Sequence, residues 1–159
     1  MAETFFEFRL GEIEDRIGRR GIAEQCGIDQ STIDRWLTRG REPLVSYAYA
    51  VALGTGYDID DLLVAAKLPS EPRREPERQR RSPLYKDTQR TRFNRSARLL
   101  VDGSGCTQRE IALDVGVDYS TFKTWLGSRR EPRVCNAQKL AERFGVSVHA
   151  MCEGNVGTP

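Results

Sequence analysis

Apolar residues along the chain recur three and four positions apart, which is the spacing of amphipathic helices rather than of strands. Within residues 92–101, for example, Phe93, Ala97 and Leu100 fall on one helical face. The same spacing predicts helices over 5–17, 21–26, 29–37, 44–53 and 58–66, and later ones from 107, from 118, over 137–144 and from 146. The pattern therefore predicts an all-α chain with about five helices in each half.

Residue types that start and stop helices support these boundaries. Thr107 and Glu110 have the spacing of a capping box, in which each side chain bonds to the backbone amide of the other residue. Asp29 and Asp118 each precede a predicted helix and are expected to be N-caps. Gly116 is expected to adopt the left-handed conformation that permits a tight turn after a helix.

The two halves of the chain are copies of one another. Residues 22–37 align without a gap with residues 111–126. The match continues, always 89 residues apart, through the sequence Arg-Glu-Pro at 41–43 and at 130–132. A repeat of this length predicts two units of the same fold.

The segment between the copies is predicted to be a linker. Residues 69–83 are rich in proline and charge and contain no large apolar residue, so they cannot bury a core. We therefore divide the chain into a first domain at 1–67, a linker at 68–90 and a second domain at 91–159. The two domains are called the first repeat and the second repeat below.

The two repeats differ in net charge, which the overall value of +2 conceals. The first repeat has 8 basic and 12 acidic residues, whereas the second has 10 basic and 7 acidic. The linker contributes a further 7 basic and 4 acidic residues. Because the neutralisation of phosphates dominates affinity for DNA, this distribution favours the second repeat with the linker as the stronger DNA-binding part.

One short pattern occurs at the same place in both repeats. A small residue is followed four positions later by a turn glycine and, six positions after that, by an apolar residue. These residues are Ala23, Gly27 and Ile33 in the first repeat and Ala112, Gly116 and Phe122 in the second. Together with the endings at 140–148 and 51–59, the pattern makes both repeats resemble the lambda-repressor-like helix-turn-helix superfamily.

The resemblance implies that the third helix of each repeat is a recognition helix, whose amino-terminal residues meet base edges in the major groove of double-stranded DNA. Carried over by position, the implied contact residues are Arg19, Gln30, Ser31 and Arg35 in the first repeat and Gln108, Tyr119, Ser120, Lys123 and Thr124 in the second. Glutamine can pair with adenine, arginine and lysine with guanine, and serine with several base edges. The arginines that follow the recognition helices are interpreted as phosphate contacts; they are Arg39, Arg41, Arg129 and Arg130.

Several of these residues also have a structural interpretation. Ser31 and Ser120 can be ordinary residues of a first helical turn, and the four arginines can form a solvated rim. Trp36 and Trp125 lie on the inward side of the predicted helices, so we interpret them as core residues rather than as residues that stack on bases. Asp34 departs from a DNA-facing pattern and weakens the case that the first repeat reads bases.

The sequence contains no catalytic or metal-binding pattern. The four cysteines lie far apart without a paired motif and are interpreted as reduced thiols. His149, the only histidine, has no carboxylate or nucleophile at a recognisable spacing. No apolar run reaches the roughly 18 residues of a membrane span, and the start of the chain lacks the basic region of a signal peptide. We therefore expect no enzyme, no cofactor and no membrane partner, and a cytoplasmic, nucleoid-associated location.

Two functions follow from these expectations. The leading one is a sequence-specific transcriptional regulator of prokaryotic or phage origin. The alternative is a protein-interaction adaptor, in which the acidic first repeat binds a protein partner or forms a homodimer and only the second repeat binds DNA. Because the reading residues of the repeats differ, the sequence predicts an asymmetric, two-part DNA site. A flexible linker would have an r.m.s. span of about 24–29 Å, which approaches the roughly 34–36 Å of one duplex turn.

Overall fold

The computed structural model describes residues 5–65, 68–79 and 83–157, and of residues 83–91 it describes the backbone alone. The regular secondary structure of these described residues is helical, which confirms the predicted all-α class. The helices are α1 Phe5–Cys26, α2 Gln30–Arg39, α3 Val45–Thr55, α4 Pro83–Gly103, α5 Gln108–Val115, α6 Tyr119–Leu126, α7 Val134–Phe144 and α8 Val148–Glu153, with a 3-10 helix Asp61–Leu63 after α3. The described residues form no strand, and their one β feature is an antiparallel bridge between Leu44 and Arg133.

α1 contains the break that the sequence predicts between the first two helices. Gly18 has φ 71° and ψ 161°, outside the helical region, so the chain changes direction before the second segment begins. Glycine adopts this positive φ without the strain that a side chain would cause. The second segment of α1 therefore corresponds to α5, and α2 corresponds to α6.

The turn before α2 and the turn before α6 have the same hydrogen bond. Ile28 N donates to Ala23 O over 3.2 Å, and Val117 N donates to Ala112 O over 3.0 Å. Gly116, at φ 77°, has the predicted left-handed conformation. α5 packs against α6 and α1 packs against α2, so each turn joins two helices in contact.

Most of the predicted helix caps are confirmed. Glu110 N donates to Thr107 Oγ1 over 3.3 Å and Thr107 N donates to Glu110 Oε2 over 2.7 Å, which completes the capping box. Asp118 Oδ1 accepts the N–H of Thr121 over 2.9 Å. Asp29 occupies the N-cap position of α2, but its side chain makes no capping hydrogen bond, so that part of the prediction is wrong.

The two tryptophans lie in the core, as predicted. Trp36 is 5% exposed and contacts Phe6 and Tyr47 edge-on, with ring centroids 6.2 Å and 5.7 Å away. Trp125 is 3% exposed and contacts Phe122 in the same manner, at 5.9 Å. Trp36 therefore packs between helices of the first repeat, and Trp125 is buried in the core of the second.

Some predicted helix boundaries are wrong. The helix predicted over 58–66 is limited to the 3-10 helix, because Asp58 Oδ1 accepts the N–H of Asp60 over 3.1 Å and such local bonds compete with helix formation; residues 66–67 lie outside the described chain. α7 begins at Val134 rather than at 137. α8 begins at Val148, after an N-cap serine, rather than at 146.

The segment predicted as a linker divides into two parts. α4 begins at Pro83, inside the segment predicted as a linker at 68–90, and proline suits the first position of a helix. Residues 68–79 contain no helix, yet they lie along the first repeat, where Glu77 N donates to Leu53 O over 2.8 Å. These residues are thus attached to the first repeat rather than extended as a free chain.

The two repeats contact each other through equivalent residues. Val45 N donates to Pro132 O, and Val134 N donates to Pro43 O, each over 3.0 Å. Val134 is the counterpart of Val45, and Pro132 is the counterpart of Pro43, at the offset of 89 residues. The bridge described above lies between these two bonds. Each repeat therefore donates one backbone hydrogen bond to the other and accepts the equivalent bond from it.

Two glutamates extend this reciprocal contact. Glu42 of the first repeat accepts the N–H of Cys135 near the start of α7, and its counterpart Glu131 accepts the hydroxyl of Ser46 near the start of α3. A carboxylate is favourable at this end of a helix because the helix dipole is positive there. Burial, together with the neighbouring Glu42 carboxylate, raises the pKa of the Cys135 thiol to about 11.

Other contacts between the repeats have no counterpart. Asp60 accepts the N–H groups of Val148 and His149 over 2.9 Å and 3.0 Å, and so caps α8 from the first repeat. Burial raises the pKa of this carboxyl group above its usual range. The residue equivalent to Asp60 is His149, which has no carboxylate, so the second repeat cannot supply the same cap.

All four cysteines are free thiols. No cluster of three or more metal-binding side chains occurs in the described part of the chain. Across the same residues, none of the helices combines the length and the apolar character that crossing a membrane requires.

The burial of Trp125 predicts a large loss of stability on truncation. Trp125→Ala should lower the free energy of unfolding of the full chain by about 3–5 kcal/mol, because it removes the indole contacts and leaves a cavity. Leu113→Ala is the matched control, since Leu113 is 80% exposed on neighbouring α5 and should cost less than about 0.5 kcal/mol. Denaturant unfolding measures both values, and an equal, small effect of the two substitutions would contradict the core assignment.

Candidate nucleic-acid interface

α2 and α6 each have a buried apolar face and an exposed polar face. In α2, Ile33 and Trp36 are buried, whereas Gln30, Ser31 and Arg35 are exposed. Ser31 and Arg35 are four residues apart, so they are neighbours on one side of the helix. The first turn of α2 therefore presents polar side chains to solvent.

The residues that the resemblance implicates all lie at the surface, wholly or in part. The exposed ones are Gln30, Ser31, Arg35, Arg39, Arg41, Ser120, Lys123, Arg129 and Arg130, and the partly buried ones are Arg19, Gln108, Tyr119 and Thr124. The fold brings them together in two groups, one around α2 and one around α6.

The hydroxyl groups in the first turn of α6 are partly engaged by the helix itself. Ser120 and Thr121 both donate to the carboxylate of Asp118, and these hydrogen bonds hold the pKa of Asp118 well below its usual range. Thr124 Oγ1 donates to Thr121 O over 2.7 Å. Ser120 thus has a structural role in the cap, while its oxygen retains the capacity to accept a further hydrogen bond.

Tyr119 lies between two cations on the second repeat. The guanidinium of Arg109 is 5.2 Å from the centroid of the Tyr119 ring, and the ammonium group of Lys123 is 5.6 Å from it. Both distances are within the range of cation–π attraction. The ring therefore holds two positive charges together at the amino end of α6.

Arg19 of the first repeat is held by two carboxylates. Its guanidinium forms ion pairs with Glu14 and, over 3.0 Å, with Asp34. Both partners raise the pKa of Arg19. Two negative charges against one positive charge leave this cluster with a net charge of about −1. Arg19 is thus less available to a phosphate than its sequence position implies.

Equivalent positions of the two repeats differ in charge here. Asp34 on α2 corresponds to Lys123 on α6, and Arg19 corresponds to Gln108. The position of Glu14 corresponds to Gly103. The same region of the fold is therefore acidic in the first repeat and basic in the second.

The arginines at the end of α2 and in the loops that follow α2 and α6 are exposed in both repeats. Within the described chain, none of Arg39, Arg41, Arg129 and Arg130 forms a salt bridge with a carboxylate. The side-chain amide of Asn94 donates to the carbonyl of Arg130 over 3.3 Å, which fixes the backbone of the second loop. These cations are accordingly free to meet an anionic ligand.

Two exposed cations, Arg109 beside α6 and Arg133 at the contact between the repeats, were not among the predicted site residues. Arg109 is next to Gln108 at the start of α5, and only its contact with Tyr119 brings it into the group. Arg133 is exposed at the bridge between the repeats, where it donates to Glu42 O over 2.8 Å. The sequence feature that could have identified Arg109 is its position in the first turn of α5. The place of Arg133 depends on long-range pairing that no local pattern reveals.

No protein-family model matches the chain, and neither a curated protein nor a solved structure matches it.

Proposed function

We propose that the protein is a sequence-specific regulator of transcription that binds double-stranded DNA through two helix-turn-helix domains of the lambda-repressor-like kind. The observation that carries the proposal is the repeated design of α2 and α6. Each helix follows a tight turn, packs a tryptophan inward and presents polar and basic side chains outward. In this proposal the outward faces read base edges in the major groove.

The exposed side chains supply the chemistry that base reading requires. Gln30 has the donor and acceptor pair that matches adenine, and Arg35 and Lys123 have donors that match guanine. Thr124 and the ring of Tyr119 can contact the methyl group of thymine. Arg39 at the end of α2 and the arginines in the loops after the two helices would bind phosphates and fix the position of the protein on the duplex.

In this proposal the second repeat contributes more of the affinity. Lys123, Arg109 and the exposed loop arginines surround α6, whereas the acidic cluster of Glu14, Arg19 and Asp34 lies beside α2. Since phosphate neutralisation supplies most of the sequence-independent affinity, the basic repeat binds more strongly. The first repeat then adds mainly sequence discrimination.

A second candidate function is favoured by the same acidic cluster. If the negative charge beside α2 keeps the first repeat away from DNA, that repeat would act as an adaptor that binds a protein partner. The exposed rings of Phe5 and Phe8 on α1, 52% and 53% accessible, are the apolar surface that such a partner would cover. The effect of Asp34→Asn on DNA affinity separates the two functions.

The proposal predicts that loss of the cations around α6 weakens binding. Lys123→Ala and the double variant Arg129→Ala/Arg130→Ala should each reduce affinity for duplexes enriched from a random pool by the unaltered chain. Loss of one phosphate contact should reduce the slope of log affinity against log salt concentration by about one unit for all sequences. Loss of a guanine contact should instead weaken the binding free energy by about 1–3 kcal/mol at one base position. Fluorescence anisotropy over a salt series measures both effects.

Lys139→Ala is the control for this experiment, because Lys139 is an exposed cation of the same repeat on α7. It should leave both affinity and salt dependence unchanged. Unchanged affinity in the α6 variants, or an equal loss in the control, would remove this face from the proposed interface.

The acidic cluster provides the test of the first repeat. Asp34→Asn removes one carboxylate from the guanidinium of Arg19, so it should strengthen binding several-fold and make it more salt-dependent if α2 lies against DNA. Asp15→Asn, an exposed change on α1 with the same effect on net charge, should do neither. Identical DNA affinity of Asp34→Asn and the unaltered chain would place the first repeat away from DNA and support the adaptor function.

A further inference from the structure

The contact between the repeats has the form of a contact between two identical subunits. Val45 N donates to Pro132 O, and Val134 N donates to Pro43 O. Val45 and Val134 are equivalent residues of the two repeats, and so are Pro43 and Pro132. The glutamates at 42 and 131 repeat this exchange at the starts of α7 and α3. Here position i of the first unit contacts position j of the second, and position j of the first contacts position i of the second. Only a two-fold rotation between the units produces such a pair of contacts.

The approximate two-fold axis therefore passes between Leu44 and Arg133, where the antiparallel bridge lies. α2 ends at Arg39, five residues before Leu44, and α6 ends at Leu126, seven residues before Arg133. The two helices with exposed polar faces are thus connected to the axis by short segments. The same rotation that relates the repeats relates these helices.

We infer that one chain, acting alone, reads two unlike half-sites arranged as an inverted pair, as a single-chain equivalent of a dimer. This inference rests on the proposed function. A duplex has two-fold axes perpendicular to its length, and helices related by such an axis meet the two half-sites in opposite directions. A direct repeat would require a translation between the repeats, which cannot produce the reciprocal bonds of Val45 and Val134.

The two-fold arrangement of the repeats implies a more specific DNA site than the sequence alone predicts. A flexible linker would leave the order and orientation of the two half-sites open. The paired backbone at the axis fixes one orientation instead. The surface that a second chain would need for the same contact is already occupied within the chain.

The first experiment changes the DNA alone. Duplexes enriched from a random pool by the full chain are resynthesised with one half-site reversed at the same centre-to-centre spacing. The inference predicts one chain per duplex by analytical ultracentrifugation. Reversal should reduce affinity about 100-fold or more, because both domains can no longer bind together. Equal affinity for the two orientations, or a direct repeat among the enriched duplexes, would overturn the inference while leaving the proposed function intact.

The second experiment makes the reading residues of the two repeats alike. Arg19→Gln, Gln30→Tyr, Asp34→Lys and Arg35→Thr together give the first repeat the residues found at the equivalent positions of the second. All four positions lie at the surface, and an unchanged melting temperature would verify the fold. This variant should enrich a palindrome from the random pool, whereas a tandem direct repeat would overturn the inference.

The third experiment removes the paired amides themselves. Val45 and Val134 hold the first positions of α3 and α7, which tolerate proline, and the preceding residues are extended as proline requires. Val45→Pro/Val134→Pro should abolish the preference between the two orientations, and Val45→Ala/Val134→Ala, which keeps the N–H groups, should retain it. A preference that survives the proline change would overturn the inference. Failure of the unaltered chain to enrich any duplex would overturn the proposed function and this inference together.

Discussion

The starts of α3 and α7 are the constraint on which the architecture depends. The first N–H groups of a helix have no acceptor within it, and the residues before these helices, Leu44 and Arg133, supply no side-chain cap. Val45 and Val134 are buried, so an unpaired N–H at either would cost about 1–3 kcal/mol. Each helix start is satisfied by the other repeat. The two repeats therefore stabilise each other through the groups that neither can satisfy alone.

This reciprocity explains why the repeats are alike inside and unlike outside. The residues at the axis and in the turns keep the same backbone hydrogen bonds, as the pairs Ile28 to Ala23 and Val117 to Ala112 illustrate. The exposed faces are free of that constraint. Asp34 and Lys123 occupy equivalent positions with opposite charge, which changes the electrostatics of the proposed interface without changing the fold.

The sequence predicts the features that depend on neighbouring residues. The capping box at Thr107, the turn at Gly116 and the buried indole of Trp125 all follow from local spacing, and the structure confirms them. The helix predicted over 58–66 fails because short-range aspartate bonds compete with it and because Asp60 caps α8 instead. Local patterns carry no information on such a distant partner.

In the candidate site too, some features follow from local sequence and others depend on tertiary packing. Periodicity places Gln30 and Lys123 on exposed helical faces, and the structure agrees on their exposure. The ion pairs of Arg19 with Glu14 and Asp34, and the position of Arg133 at the axis, come from tertiary packing and were not predicted. The two-fold relation itself depends on hydrogen bonds from Val45 to Pro132 and from Val134 to Pro43, whose partners lie far apart in the sequence, and no window of sequence reveals such pairing.

The most direct test of this account is amide hydrogen exchange, measured by NMR on the full chain without DNA. An isolated helix leaves the N–H of its first residue unpaired, so the bonds between the repeats should slow the exchange of the Val45 and Val134 amides. The account predicts that both amides exchange as slowly as amides in the middle of α3 and α7, and to a similar degree. Rapid exchange at both positions, with the middle of each helix still protected, would contradict it.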